Sequence, residues 1–228
     1  MFSRPHHQRI FKILSALDNE FLLQSECFFG GGTAIVMLHG EYRESLDIDF
    51  LCSSGEGYRA IRNLVFDDGL KGIFKEKVTI LGDVKSDQYG VRAVLEVDEA
   101  RVKFEIIREG RIQLSGSNYE NIPVQTLSVL DLFSEKLLAN ADRFNDEGAQ
   151  SRDLIDLAML IISHEEIPLD AWAKVKKAYG ESVVQAFHKG IVFLSRPKYF
   201  ESCCEKMKID LDIKSLIVPT LEKERAKL

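Results

Sequence analysis

Near the start of the chain, a glycine run separates two short apolar segments, and alternating aspartates open the second one. Residues 27–29 are typical of a short buried strand, which Gly30–Gly32 interrupts. A helix over 34–39, capped by Thr33, would then lead to a second buried strand, Ile48–Cys52. This order of strand, turn, helix and strand predicts a mixed α/β unit in the N-terminal half of the chain.

Asp47 and Asp49 lie on either side of Ile48 in the second strand. Because side chains alternate along a strand, both carboxylates are expected on one face, while Ile48 and Phe50 point into the core. Two carboxylates that converge on an exposed face repel each other unless a cation lies between them. Mg²⁺ suits such a site because it binds carboxylates together with phosphate oxygens and water.

The glycine run supplies a second feature with the same chemistry. A glycine-rich turn that enters a helix leaves backbone N–H groups free and lets a phosphate approach closely. We therefore expect Gly31, Gly32 and Thr33 to bind a nucleotide. Either feature alone is more often a tight turn or a solvated strand face. Their occurrence together, in this order, favours nucleotidyl transfer.

The rest of the chain separates into a β-rich part and a helical part. Apolar positions over 5–24 suit one amphipathic helix, and 58–66 suits another. Strands are expected over 72–81, 89–97 and 101–108, with the last two joined as an antiparallel hairpin. From Thr126 onward the pattern is helical, with helices near 127–145, 149–163, 169–178 and 181–195 and one or two more after them.

These patterns predict an α+β fold in two domains. Residues 1–125 would form a mixed sheet with flanking helices, including the N-terminal helix. Residues 126–228 would form a helical domain packed against the active-site cleft.

Two groups of motifs resemble those of a known family. The first group is Phe29-Gly30-Gly31-Gly32-Thr33-Ala34, Leu38-His39-Gly40 and Arg43-x-Ser45-x-Asp47-Ile48-Asp49-Phe50. The second is Glu135-Lys136-Leu137-x-Ala139, Arg143 and Arg152-Asp153-x-x-Asp156-Leu157. Over residues 27–160 the sequence resembles the AbiEii/AbiGii toxin family, whose members are nucleotidyltransferase-like proteins with the DNA polymerase β-type fold.

The resemblance implies a third carboxylate on a neighbouring strand. Glu105 is the candidate, because it alternates with apolar residues and faces outward, and Glu96 is the fallback. Glu is present here where many members of the superfamily have Asp. Glu105 is alternatively a surface charge paired with Lys103 or Arg92.

The helical motifs are expected to serve the nucleotide. By resemblance Lys136 contacts it, with its ammonium facing the cleft, and Arg143 lies on the same helix face. Asp153 and Asp156 share a face and would orient these cations, bind nucleotide, or form an interhelical ion pair. Arg43, Ser45 and Arg152 complete the nucleotide-binding set, with Arg43 contacting phosphate or bracing its loop.

The predicted reaction moves a nucleoside monophosphate from a nucleoside triphosphate to an acceptor hydroxyl. Asp47, Asp49 and Glu105 would hold two Mg²⁺ ions. By resemblance, the protein would be the toxin of a toxin–antitoxin or phage-exclusion pair. The acceptor would then be RNA, with tRNA the leading candidate, and a cognate antitoxin would be a partner. Two alternatives remain: a small-molecule nucleotidyltransferase, and a nucleotide- or partner-binding protein with this fold and no catalysis.

Composition limits these possibilities. Lys and Arg number 30 and Asp and Glu 36, a net charge of −6, which excludes a generally cationic protein that coats nucleic acid. This charge also favours a small-molecule acceptor over RNA. The four cysteines have no CxxC spacing and are expected to be free thiols in a reducing cytoplasm. The longest purely apolar stretch of the C-terminal half, residues 157–162, is far shorter than the ~20 residues of a membrane span.

Overall fold

The computed structural model describes residues 2–228, which divide into two compact units. The first unit comprises residues 2–38 and Leu46–Ser128, and the second comprises His39–Ser45 and Val129–Leu228. The short segment His39–Ser45 thus belongs with the helices that follow much later in the chain, which the sequence patterns did not indicate.

The first unit is a mixed sheet of seven strands with four helices. The strands are β1 Cys27–Gly30, β2 Ile48–Cys52, β3 Thr79–Ser86, β4 Gly90–Val97, β5 Ala100–Arg108, β6 Gly116–Ser117 and β7 Thr126–Leu127. The helices are α1 Pro5–Ala16, α2 Asn19–Gln24, α3 Gly31–Leu38 and α4 Gly55–Asp68. The strand order is β3-β4-β5-β2-β1-β7-β6, in which β2 runs parallel to β5 and antiparallel to β1.

Alternation of side chains along the central strands builds the core of this unit. Ile48, Phe50 and Phe104 are fully buried, and Ile48 lies directly opposite Phe104 between β2 and β5. The β4–β5 hairpin turns at Asp98 and Glu99, both with positive φ, as a type I′ turn requires. The predicted mixed sheet and hairpin are therefore confirmed.

Two local predictions are wrong. The helix expected over 5–24 is broken at Leu17, which forms a β-bridge with Phe74, and Asp18 then caps α2 through Phe21 N–H at 3.1 Å. The strand expected over 72–81 begins only at Thr79, because a 3₁₀ turn, Leu70–Ile73, takes up its first part. Tertiary contacts and a local cap prevail here over hydrophobic periodicity.

The second unit is helical, and three of its helices pack against α5. The helices of this unit are α5 Val129–Arg143, α6 Arg152–His164, α7 Leu169–Tyr179, α8 Ser182–Leu194, α9 Pro197–Lys206 and α10 Leu211–Arg225. Helices α6, α7 and α8 all pack against α5, which buries Phe133 and Leu137 completely. Trp172 and Phe187 pack edge to face with ring centroids 5.4 Å apart.

All four cysteines, Cys27, Cys52, Cys203 and Cys204, are buried free thiols, as predicted. Over residues 2–228, no helix has both the length and the apolar character needed to cross a membrane.

Helix α4 packs against the end of α2 through a glycine. A Cβ on Gly57 would lie 2.6 Å from the carbonyl carbon of Ser25, whereas a Cβ on Gly55 would meet no atom within 4 Å. We expect Gly57→Ala to lower the free energy of unfolding by about 2 kcal/mol, because backbone cannot yield as a side chain does. Urea unfolding followed by circular dichroism measures this loss. Gly55→Ala is the matched control, and equal midpoints for the two variants would contradict the proposed contact.

Candidate active site

Asp49 and Glu105 are neighbours across the parallel strands β2 and β5. The register pairs Asp49 with Glu105, so both side chains project from the same face of the sheet. Asp47 immediately precedes β2, and both aspartates are partly exposed while Ile48 and Phe50 are fully buried. The predicted alternation in this strand is confirmed, and the three candidate carboxylates belong to one unit.

The carboxylate of Asp49 lies against the start of α3. Gly31, the first residue of that helix, has a φ of +68°, which favours glycine. A Cβ on Gly31 would lie 2.9 Å from Asp49 Cβ and closer still to a carboxylate oxygen. The absent side chain of Gly31 is therefore what allows the Asp49 carboxylate to approach the helix N-terminus.

Thr33 ties the same helix to Asp47. The Thr33 side chain is buried, and its hydroxyl donates a hydrogen bond to the carbonyl oxygen of Asp47. Thr33 was expected to cap the helix, but it lies inside α3, in the first turn. Gly32 precedes it in that turn and is partly exposed.

Glu105 forms both ion pairs that the sequence offered as its alternative role. Its Oε1 lies 3.2 Å from Arg92 Nε, and its Oε2 lies 2.8 Å from Lys103 Nζ. The hydrogen bond to Glu105 raises the pKa of Lys103 against the opposing effect of burial, and the charges of Asp47 and Asp49 raise it further. The Lys103 ammonium therefore interacts with all three carboxylates.

Glu96, the fallback for the third carboxylate, lies farther along the sheet. It pairs with Arg101, four residues before Glu105 in β5. At the rise of a strand, this places Glu96 about 13 Å from the level of Asp49. Among the two candidates, the register favours Glu105.

We call the side of the sheet that carries Asp47, Asp49 and Glu105 the acid face. Its carboxylate oxygens suit a divalent cation. All three side chains are carboxylates, the ligands that Mg²⁺ prefers, and the Gly31 cradle directs Asp49 toward the helix N-terminus. Over residues 2–228, however, no three His, Cys, Asp or Glu side chains are grouped as a metal site. Asp47 and Asp49 offer carboxylate oxygens to a cation, whereas Glu105 is already paired with Lys103.

Asp156 is the centre of a buried charge network in the second unit. Its carboxylate accepts hydrogen bonds from Tyr42 Oη at 2.5 Å and from Arg43 Nε and Nη2 at 2.7 and 2.8 Å. Lys136 Nζ lies 2.7 Å from Oδ2. Burial raises the pKa of Asp156, but the charges of Arg43 and Lys136 outweigh it and hold the pKa below its ordinary value.

Asp153 extends the network to the surface of this unit. It lies 3.1 Å from Lys136 Nζ, and Arg143 Nε and Nη2 donate to it at 2.7 and 2.9 Å. Burial opposes ionisation, yet Lys136 and Arg143 together hold the pKa of Asp153 well below its ordinary value. Since both Asp153 and Asp156 have lowered pKa values, the network stabilises the fold above pH 3.8, and that stabilisation is lost as the pH falls below it.

Lys136 is enclosed rather than facing a cleft. Only 7 % of its side chain is exposed, and two carboxylates hold its ammonium. The orientation expected from the sequence is therefore wrong, because Asp153 and Asp156 on α6 offer α5 an internal counter-charge. Contact between Lys136 and a nucleotide stays a prediction.

The remaining candidates of the second unit differ in exposure. Arg43 is buried and braces its own segment, since its third contact is Nη1 to the Glu44 carbonyl at 2.8 Å. Arg152 is exposed in the first turn of α6, and Ser45 is partly exposed. Of these three, Arg43 belongs to the charge network.

A family model described as Nucleotidyl transferase AbiEii toxin, Type IV TA system, matches residues 12–219. The chain belongs to the AbiEii toxin family. The match includes the tail beyond residue 164, for which the sequence motifs indicated no relative.

Solved structures show the same fold at low identity. A candidate nucleotidyltransferase from Helicobacter pylori matches with a TM-score of 0.54 and 18 % identity, covering 100 % of this chain and 97 % of the other. A second Helicobacter pylori structure matches with a TM-score of 0.53 and 17 % identity, covering 98 % and 91 %. Among curated proteins no relative matches. Family and fold together are those of nucleotidyltransferase toxins.

In this AbiEii-family protein, one residue of the network around Asp156 and one residue of the acid face were not predicted from the sequence. Tyr42 was not considered, although it directly precedes Arg43 and its hydroxyl binds Asp156. Lys103 was considered only as a partner of Glu105, not of the aspartates. The signal for Lys103 was present, because residues two apart in a strand share a face.

The buried charge network around Asp156 predicts that losing a buried carboxylate lowers the free energy of unfolding of this AbiEii-family protein far more than losing an exposed one. Asp156→Asn leaves Arg43 and Lys136 buried with one negative charge fewer, so we expect it to lower the free energy of unfolding by about 3–5 kcal/mol. Glu201→Gln removes an exposed pair with Lys214 at 2.6 Å and should cost at most about 1 kcal/mol. Thermal and urea unfolding of both variants measure this. Similar losses would show that the network is not a main source of stability.

Proposed function

We propose that this protein transfers a nucleoside monophosphate from a nucleoside triphosphate to an acceptor hydroxyl. The observation that carries the proposal is the Asp49 carboxylate, which lies against the Gly31 turn and beside Glu105. A helix N-terminus for phosphate and carboxylates for a cation thus meet at one place. The AbiEii family and the nucleotidyltransferase fold support the same reaction class.

Each residue of this face has a separate role in the proposal. The backbone N–H groups of Gly31 and Gly32 bind phosphate oxygens at the start of α3. Thr33 holds the backbone of Asp47 through its carbonyl, so the two aspartates keep a common orientation. Asp47 and Asp49 would hold Mg²⁺, which when bound offsets phosphate charge and lowers the pKa of the acceptor hydroxyl.

The reaction itself is an in-line displacement. The acceptor oxygen forms a bond to the α-phosphorus, the bond from that phosphorus to the bridging oxygen breaks, and pyrophosphate leaves. Glu105 is the proposed acceptor for the hydroxyl proton. Within the second unit, Lys136 and Arg143 hold α5 to α6 through their ion pairs with Asp153.

For the acceptor we propose RNA, with tRNA first, and for the biological role a toxin that an antitoxin opposes. The family supports the toxin role and the antitoxin. The net charge of −6 favours the second candidate function, transfer to a small molecule, since RNA binding gains from positive charge. The carboxylates and glycines of the acid face argue against a protein that only binds nucleotide.

Labelled transfer distinguishes these functions. The protein is incubated with Mg²⁺ and each α-labelled nucleoside triphosphate, with total RNA or with a small-molecule extract. Asp49→Asn should lower transfer more than 100-fold, since a ligand is lost rather than a group behind it. Asp83→Asn, an exposed aspartate on β3, is the control. Label in RNA supports the main proposal, label in small molecules supports the second, and no label in either overturns transfer.

Two glycines with similar φ values allow a test of whether the Gly31 turn is needed to bind triphosphate. Gly31 and Gly40 have φ values of +68° and +77°, but only Gly31 has Asp49 where a Cβ would lie. The positive φ should cost an alanine at either position about 1 kcal/mol, and at Gly31 the contact with Asp49 adds to this cost. We expect only Gly31→Ala to lower triphosphate affinity, by more than tenfold in calorimetric titration. Equal affinities for both variants would show that Gly31 is only a turn residue.

A further inference from the structure

Lys103 projects from the acid face of the sheet, on the same side as Glu105. It precedes Glu105 by two residues in β5, so both side chains leave the sheet on one side. Its Nζ lies 2.8 Å from Glu105 Oε2, and half of its side chain is exposed, whereas only 13 % of the Glu105 side chain is exposed. Glu105 therefore has a largely buried side chain, and one of its carboxylate oxygens is bound by the ammonium of a half-exposed lysine.

The second cation on Glu105 is shared with another carboxylate. Arg92 pairs with Glu105 at 3.2 Å and also with Asp87 at 3.4 Å, so two carboxylates hold its guanidinium. Lys103 carries a compact charge on a flexible stem, which can leave a carboxylate at little cost when half exposed. Of the two cations, Lys103 is the one that can be exchanged.

The chain itself offsets part of the negative charge of this face. Asp47, Asp49 and Glu105 contribute three negative charges, Lys103 contributes one positive charge, and Arg92 contributes another that it shares with Asp87. Repulsion between carboxylates, which favours cation binding, is therefore already reduced by the chain itself. A divalent ion that binds the Glu105 oxygen nearest Lys103 would have to take the place of the Lys103 ammonium.

We propose that Lys103 is a built-in counter-ion of the acid face, which competes with a divalent cation for Glu105 and so weakens cation binding. The inference rests on the proposed function, because it concerns the cation that Asp47 and Asp49 would hold. Lys103 is in this sense a positioning residue. It keeps Glu105 away from the cation until its own ion pair opens.

Binding of Mn²⁺ alone tests the competition. Free Mn²⁺ is measured by electron paramagnetic resonance at low ionic strength, without nucleotide, for the wild-type protein and Lys103→Met. Methionine keeps the stem of the side chain and removes only the charge. We expect Mn²⁺ to bind about tenfold more tightly to Lys103→Met, since the ammonium that competes with the ion for Glu105 is then absent.

Lys12→Met is the matched control. Lys12 belongs to the same unit, is 57 % exposed, and pairs with a carboxylate, Asp98, at 2.6 Å. The net charge changes equally in both variants, but Lys12 has no described contact with the acid face. Mn²⁺ affinity should change less than twofold in Lys12→Met, because screening removes distant effects.

A double variant shows whether the competition acts through Glu105. Glu105→Gln should remove most of the tightening caused by Lys103→Met, so that Lys103→Met/Glu105→Gln binds Mn²⁺ nearly as Glu105→Gln does. Unchanged or weaker affinity in Lys103→Met, or tightening that persists in the double variant, would overturn the proposal. So would the absence of Mn²⁺ binding from all variants.

These outcomes are separate from those of the transfer assay. A protein that binds Mn²⁺ more tightly after Lys103→Met, yet transfers no label, would keep the counter-ion role and lose the proposed function. A protein that transfers label but shows no change in Mn²⁺ affinity after Lys103→Met would keep the proposed function and lose the counter-ion role.

Discussion

The Asp49 carboxylate lies where three strands and a helix of the first unit meet. Asp49 pairs with Gly30 of β1 on one side and with Glu105 of β5 on the other. Its side chain occupies the space that a Cβ on Gly31 would need. The first turn of α3 is in turn held to Asp47 by Thr33. Because a charged group fills this junction, neither the turn nor the neighbouring strand can change without moving a carboxylate.

The two units use their own cations in different ways. In the second unit Arg43 and Lys136 are almost fully buried against Asp156, and separating them would leave charges in a medium of low dielectric constant. In the first unit Lys103 is half exposed, and water compensates for much of what it would lose on leaving Glu105. The buried pairs therefore hold helices together, whereas the exposed pair can take part in an exchange of ions.

Most of the fold could be predicted from local patterns. The strand Ile48–Cys52 and the hairpin of 90–108 follow from period-two alternation and a polar two-residue turn, and the helices of the second unit follow from their apolar spacing. The breaks at Leu17 and at 72–78 could not, because Leu17 pairs with Phe74, far along the chain. The short strands β6 and β7 escaped detection, since two residues carry no periodicity.

The sequence by itself determined which chemical groups are available and which of them share a face. Spacing alone placed Asp49 and Ile48 on opposite sides of β2, and Glu105 outward on β5. Only the tertiary structure decided the partners of the charged groups. Lys136 pairs with two carboxylates, and Glu105 pairs with two cations. A long charged side chain can pair with any oppositely charged group that the fold brings within reach. Periodicity describes one element at a time, whereas an ion pair depends on the distance between two elements.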